Sequence, residues 1–347
     1  MRGFEPGRVF GPDLARGLAL LGMFAAHVVF DRSENLYDGR SSILFATVAG
    51  VSLGLLTGGS RPPVSERTMR RLSIAIRGAT LILIGVLLTN LLHPPLQVIL
   101  DYYGLAFLLL IPLLFAPRPV LAVAAAIVVA FAPPLVQWMR AEVDPHSIPL
   151  ALTPFAQWLV YGTYPVAIWL AFPLAGLLCA RSDLERRRTQ LVMIAGGTVA
   201  AVIGYGAAAV VPGVTAEAHS GTAAEVVGSG GLAIAVIGLA TLVGSLPAPA
   251  GRGIRFVLFP LAAAGGMALS LYTAQVIALT IVREANRIDA ERWVYPDAIL
   301  PVLIVSALVI GTLWRLFLGA GPLERALRWL TSWPEPRSAN PSPAPRV

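Results

Sequence analysis

Four stretches of the 347-residue chain gather side chains able to handle protons, amines or anions. The first is "RGLALLGMFAAHV", residues 16 to 28, an apolar run with Arg16 near one end and His27 near the other. Eleven residues make about three helical turns, so on an α-helix the two side chains fall within roughly 20° of one face and about 16 Å apart along the axis. The second, "DRSENLYDGRSS" from residue 31, carries Glu34, Asp38 and Arg40. In the third, "EAHSGTAAEVVGSGG" from residue 217, His219 and Glu225 precede a glycine-rich helix start that can offer backbone N–H groups to an oxyanion. The fourth, "LSLYTAQ", sets Tyr272 and Gln275 in an apolar span, where polar groups need partners. Such groups can donate, accept and transfer protons and offer N–H donors to an oxyanion.

Each stretch also has a structural reading. Asp13 follows Pro12 at the start of an apolar run and suits a helix cap. Arg16 can pair with Asp13 and snorkel to an interface, or meet an anionic cofactor group from the cytoplasmic side. His27 is either functional or a hydrogen-bonded structural histidine. Asp38 and Arg40 mark a helix start, or pair to hold the first loop over a site. Residues 217–231 taken alone read as a flexible loop.

The elements that position these groups are membrane helices. Hydrophobic residues make up 56% of the chain and charged residues 13%, which leaves nothing for a large soluble domain. Apolar runs long enough to cross a hydrocarbon core of about 30 Å predict about ten spans, at 13–30, 42–58, 73–92, 99–115, 119–137, 160–180, 190–211, 229–246, 256–282 and 298–318. All 26 basic residues are arginine. With the N-terminus in the cytoplasm, about 20 arginines fall inside and about 6 outside, while carboxylates divide as about 7 and about 12. The expectation is an all-α polytopic bundle in a bacterial plasma membrane with both termini cytoplasmic. Its basic excess serves lipid headgroups and membrane insertion, not nucleic acid.

Small residues recur every fourth position at Ser42, Ala46, Gly50, Gly54 and Gly58, and again at Gly196, Ala200, Gly204 and Ala208, a pattern that allows close helix packing. "GPLERALRWLTSW" from 321 reads as an amphipathic helix on the inner surface, and the Pro- and Ser-rich residues 334–347 as a disordered tail. Cys179, the single cysteine, lies within a span as a quiet thiol.

"DLARGLALLGMFAAHV" followed by "DGRSSILFATVAGVSLGLL" resembles the start of the catalytic region of the heparan-α-glucosaminide N-acetyltransferase family. "TYPVAIWLAFPLAGLLCAR", "HSGTAAEVVGSGGLAIAVIGLATL", "GMALSLYTAQ" and "GPLERALR" are similar to YeiB-like bacterial membrane proteins, whose C-terminal half is a domain of unknown function. The resemblance covers nearly all of residues 12 to 331, with 12–180 resembling the acetyltransferase region and 190–331 the YeiB-like part, in a single domain spanning 1–333. Asp13, Arg16 and Gly17 match the family's opening motif, and Asp38 and Gly39 its Asn-Gly or Asp-Gly before the second span. The eukaryotic enzymes place their essential histidine a few residues before that pair, where this chain has Glu34.

The resemblance implies a membrane acyltransferase that takes an acetyl or other acyl group from acetyl-CoA or another acyl-CoA and delivers it to an amino sugar, glycan or lipid outside the cytoplasm. His27, oriented by Asp38 or Glu34, is then the candidate base and Arg40 the oxyanion donor, with His219 and Glu225 as the reserve pair. Asp13 and Arg16 face the CoA, Tyr272 and Gln275 the substrate. No metal is expected. Expected partners are membrane lipids and the acceptor; a homodimer is left open. The alternative is a transporter of a small amphiphile that uses the same polar groups without making a bond.

Overall fold

The computed structural model describes residues 9–29, 34–286 and 295–332. Among them there are helices and no strands. In chain order the helices are α1 (Phe10–Val28), α2 (Arg40–Leu56), α3 (Arg67–Leu92), α4 (Leu100–Leu110), α5 (Arg118–Glu142), α6 (Thr153–Ala156), α7 (Val166–Trp169), α8 (Ala171–Ala180), α9 (Arg187–Val210), α10 (Ala223–Gly244), α11 (Ala250–Val257), α12 (Phe259–Gly265), α13 (Ala268–Asn286), α14 (Ile299–Phe317) and α15 (Pro322–Thr331). Each expected span coincides with one of these helices or with a bent pair. By length and composition α3, α5, α9, α10 and α14 can cross a membrane, and seven spans can if each bent pair counts as one. Helix α1 falls short of that group because it carries Asp13, Arg16 and His27; α2 and α4 are short. The amphipathic helix expected from 321 is α15, and the tail at 334–347 lies outside the described residues.

Helices α9 and α10 pack along each other, as do α2 and α8, and α1 lies against α2, α10 and α12. Small residues make the approach possible. A Cβ on Gly50 would strike the Pro173 backbone, and one on Gly176 would strike the Thr47 carbonyl. On α9 the contact face is Gly197, Ala201 and Gly204 against Gly231 and Gly228, whereas Gly196 has nothing within 4 Å. The four-residue ridge read from sequence therefore drifts off the contact: a step of four turns about 400°, and the face slips roughly 40° each time.

The sixth and ninth spans, read as continuous, are broken. Residues 153–161, which end in a π-helical turn (Gln157–Tyr161), meet Val166–Ala180 at 50°, and α12 meets α13 at 80°. The first break contains Gly162 and Pro165, which has no N–H to donate, and the second follows Gly265 and Gly266. Irregular backbone at membrane depth persists where protein buries it or a cavity borders it. Both breaks border cavities.

Candidate active site

At one end of the bundle a cavity of about 220 Å³ is lined by His27, Asp38, Ser41, Ser42, Tyr164 and His219. Four separate parts of the chain supply these groups. His27 sits in the last turn of α1, and its Nδ1 lies 3.2–3.4 Å from the side-chain amide of Gln275 on α13. The Tyr272 ring meets the imidazole edge-on at 6.3 Å. An amide, not the carboxylate expected from sequence, thus orients His27. Gln275 and Tyr272 are each about 1% exposed, and the Tyr272 hydroxyl accepts the Ile99 N–H at 3.3 Å.

His219 arrives on a different scaffold. Its backbone sits at φ 62, a left-handed conformation rare outside glycine, and Gly221 follows at φ 66. The carboxylate of Glu225 holds this turn, accepting the His219 N–H (2.7 Å), the Gly221 N–H (2.7 Å) and the Ser220 hydroxyl (3.2 Å). Thr222 caps α10 by accepting the Glu225 N–H at 3.0 Å. Glu225 is therefore committed to shaping the loop. The His219 ring lies edge-on to Tyr164 at 5.2 Å and stacks on Trp169 at 6.3 Å, and its Nδ1 is buried without a hydrogen-bond partner. Burial pulls the His219 pKa below 6.5, while the negative charges of Asp38 and Glu34 act in the opposite sense.

The loop at 34–39 closes the cavity. Asp38 accepts the Asn35 N–H at 2.7 Å and lines the cavity rather than capping α2. Gly39, at φ 65, turns the chain into α2 with Ala218 packed against it. The Arg40 guanidinium faces away from the cavity lining: it donates to Glu34 (2.5 Å), to the Tyr205 hydroxyl (3.1 Å) and to the Asp38 carbonyl (3.1 Å), and lies over the Tyr205 ring at 5.3 Å. Glu34 also accepts the Ala218 N–H at 2.9 Å, so Arg40 and Glu34 fasten the first loop to the one carrying His219. Arg40 is not among the residues that line the cavity.

A second cavity, about 180 Å³ and mostly apolar, opens toward the other end of the same helices. Arg16 lines it together with Arg77, Ser52, Tyr103, Tyr272 and Glu324. Asp13, three residues inside α1 rather than at its cap, holds Arg16 in an ion pair of 2.9 Å. Arg16 also donates to Ser52 (2.5 Å) and to the Gly265 carbonyl (3.2 Å) at the α12–α13 break. The two cavities meet at a thin wall. Tyr272 lines the second cavity and touches His27 of the first, while Tyr103, also in the second, donates to the carbonyl of Ser42, which lines the first, at 2.8 Å.

The structure thus unites His27, Asp38 and His219 with Tyr272 and Gln275, sets Glu34, Arg40 and Glu225 behind them, and leaves Arg16 in the second cavity with Asp13 as its ion-pair partner. Sequence reading missed Tyr164, Trp169, Tyr205 and Arg77. Tyr164 lies within the break at 162–165, and the Gly-Thr-Tyr-Pro run was its available signal. Among the described residues no group of His, Cys, Asp and Glu could hold a metal ion.

Apolar helices of lipid-crossing length, around paired cavities with histidines at one and arginines at the other, mark an integral membrane protein. Residues 8–209, more than half of the chain, match the family described as heparan-alpha-glucosaminide N-acetyltransferase, catalytic, and the chain belongs to it. Residues 175–334 match a second family, described as a protein of unknown function (DUF418). Among curated proteins none matches the chain.

Proposed function

We propose that the chain transfers an acyl group from an acyl-CoA to an amine or hydroxyl of a glycan or lipid, with the donor entering the Arg16 cavity and the acceptor the His27–His219 cavity. One observation carries this reading: the two cavities lie on one face of α1 and meet at Tyr103 and Tyr272. The cavity, about 180 Å³, is bordered by apolar side chains such as Leu53, Leu81, Phe107 and Leu269, which suits a slender chain. Its apolar lining suits the arm of the carrier, and Arg16 and Arg77 suit its phosphates. The arginine distribution supports placing the Arg16 end in the cytoplasm of a bacterial cell.

In the transfer itself the acceptor nitrogen or oxygen attacks the thioester carbonyl, the new bond to carbon forms, and the carbon–sulfur bond breaks. The acceptor proton passes to a neutral imidazole. His219, whose Nδ1 has no hydrogen-bond partner, is the first candidate base, and His27, whose Nδ1 is engaged by Gln275, the second. The Ser41 hydroxyl lines the cavity with no hydrogen-bond partner among the described residues and is placed to donate to the developing oxyanion.

Inverted membrane vesicles supplied with radiolabelled acetyl-CoA test the proposal. Wild-type protein labels an acceptor in the vesicle lumen, and the His27→Ala/His219→Ala double variant does not. Undiminished labelling by the double variant refutes the assignment. Thermal protection by acetyl-CoA separates the enzyme from a transporter, which has no reason to bind it.

A further inference from the structure

A third cavity, of about 240 Å³, lies outside both of those described and shares no lining residue with either. Four of the residues around it are arginines: Arg61 from the α2–α3 connection, Arg118 at the first residue of α5, and Arg181 and Arg186 from the α8–α9 turn. Ser60, Thr189 and Asp183 complete the lining. The single carboxylate is already engaged, accepting from Arg186 Nε (3.0 Å) and from the Glu185 N–H (3.2 Å).

Arg181 is the fixed floor. It is 5% exposed and donates to the carbonyls of Gly54 (3.0 Å) and Gly59 (2.6 Å), to the Thr57 hydroxyl (2.7 Å) and to the Leu114 carbonyl. These bonds tie it to α2 and to the end of α4, while its Nε keeps no partner. None of its four acceptors is a carboxylate, so its positive charge is not neutralised by them. Arg61 and Arg118 are exposed, and their guanidiniums make no hydrogen bond or ion pair with the described residues. Four cations facing one carboxylate across a small pocket repel one another until an anion joins them.

We propose that this pocket is a binding site for a net-anionic phosphate ester, with Arg61 and Arg118 as the adjustable clamp and Arg181 as the preset charge beneath it. Guanidinium forks suit phosphate oxygens geometrically as well as electrically. The position favours a lipid headgroup as the source, because Arg118 and Arg186 stand at the starts of α5 and α9, helices long and apolar enough to cross a membrane. The site is independent of the acyl-transfer reading.

Thermal unfolding of the full-length protein in a neutral detergent tests it, titrated separately with dioctanoyl phosphatidylglycerol, dioctanoyl phosphatidylcholine and inorganic phosphate. Phosphatidylglycerol gives saturable protection at concentrations where phosphatidylcholine gives none. In the Arg61→Gln/Arg118→Gln variant the apparent affinity drops about 30-fold, from the worth of two interfacial arginines, while the unliganded Tm and the protection by acetyl-CoA stay as in wild type. Protection by inorganic phosphate alone, lost in the variant, supports the same site with a free phosphate as its source. No protection by either anion, or equal protection of variant and wild type, overturns the proposal.

Discussion

Gly39→Ala tests the way the candidate site is held together. At φ 65 an alanine incurs about 1–2 kcal/mol of backbone strain. Its Cβ would also lie 2.8 Å from the Ala218 Cβ, about 1 Å inside the comfortable carbon–carbon separation. Relieving that overlap costs about 1–3 kcal/mol more. The displaced group is not neutral ground: Ala218 precedes His219, and its N–H is bonded to Glu34. A shift of the His219 loop by about 1 Å is enough to cost on the order of 10²-fold in rate. Gly213→Ala is the matched control, because Gly213 sits at φ 82 with nothing within 4 Å of an added Cβ, and so bears the strain without the collision. In vesicle labelling with acetyl-CoA, Gly39→Ala is expected to lose most of its activity while Gly213→Ala stays near wild type, with a Tm decrease in both. Equal activity in the two variants would refute the coupling of Gly39 to His219.

The pH–rate profile gives a second check. Only the neutral imidazole is a base, and burial lowers the His219 pKa, so activity persists below pH 6.5 and falls where the pH reaches the lowered value. Glu34→Gln removes a charge that opposes this shift, and the acid limb moves to still lower pH. Tyr272→Phe leaves the buried Ile99 N–H without its acceptor and lowers stability by about 1–3 kcal/mol, read as a drop in Tm. On the proposed function, Arg16→Gln raises KM for acyl-CoA more than it lowers kcat, because Arg16 lines the second cavity and not the histidine cavity. Gly50→Ala drives a methyl into the Pro173 backbone and destabilises the protein by about 2 kcal/mol, visible in thermal unfolding.

The stripe joining Arg16 and His27 was legible because helical periodicity is rigid: eleven residues return to one face whatever surrounds them. The polar groups of the first loop, His219 and the Tyr272–Gln275 pair were legible for a related reason, since apolar spans make ionisable and amide groups conspicuous. The two breaks were not. Gly162–Pro165 interrupts the apolar run only briefly and Gly265–Met267 hardly at all, and whether a Gly or Pro bends a helix depends on neighbours such as Tyr102, whose hydroxyl occupies the place of a Cβ on Gly162. Direction was the other hidden quantity. Sequence singled out Arg40, but only the partner Tyr205, far along the chain, shows where its guanidinium points. Asp13 was misassigned as a cap because α1 starts at Phe10, with Pro12 accommodated in its first turn.

The aromatic partition of Tyr103 and Tyr272 has a bioenergetic consequence. Each ring is fixed by a bond to backbone, Tyr103 to the Ser42 carbonyl and Tyr272 to the Ile99 N–H, so side chains rather than an open passage stand between the two chambers. On the acyl-transfer proposal, a small group handed through such a septum would spare the ion gradient that an open pore of the same width would drain.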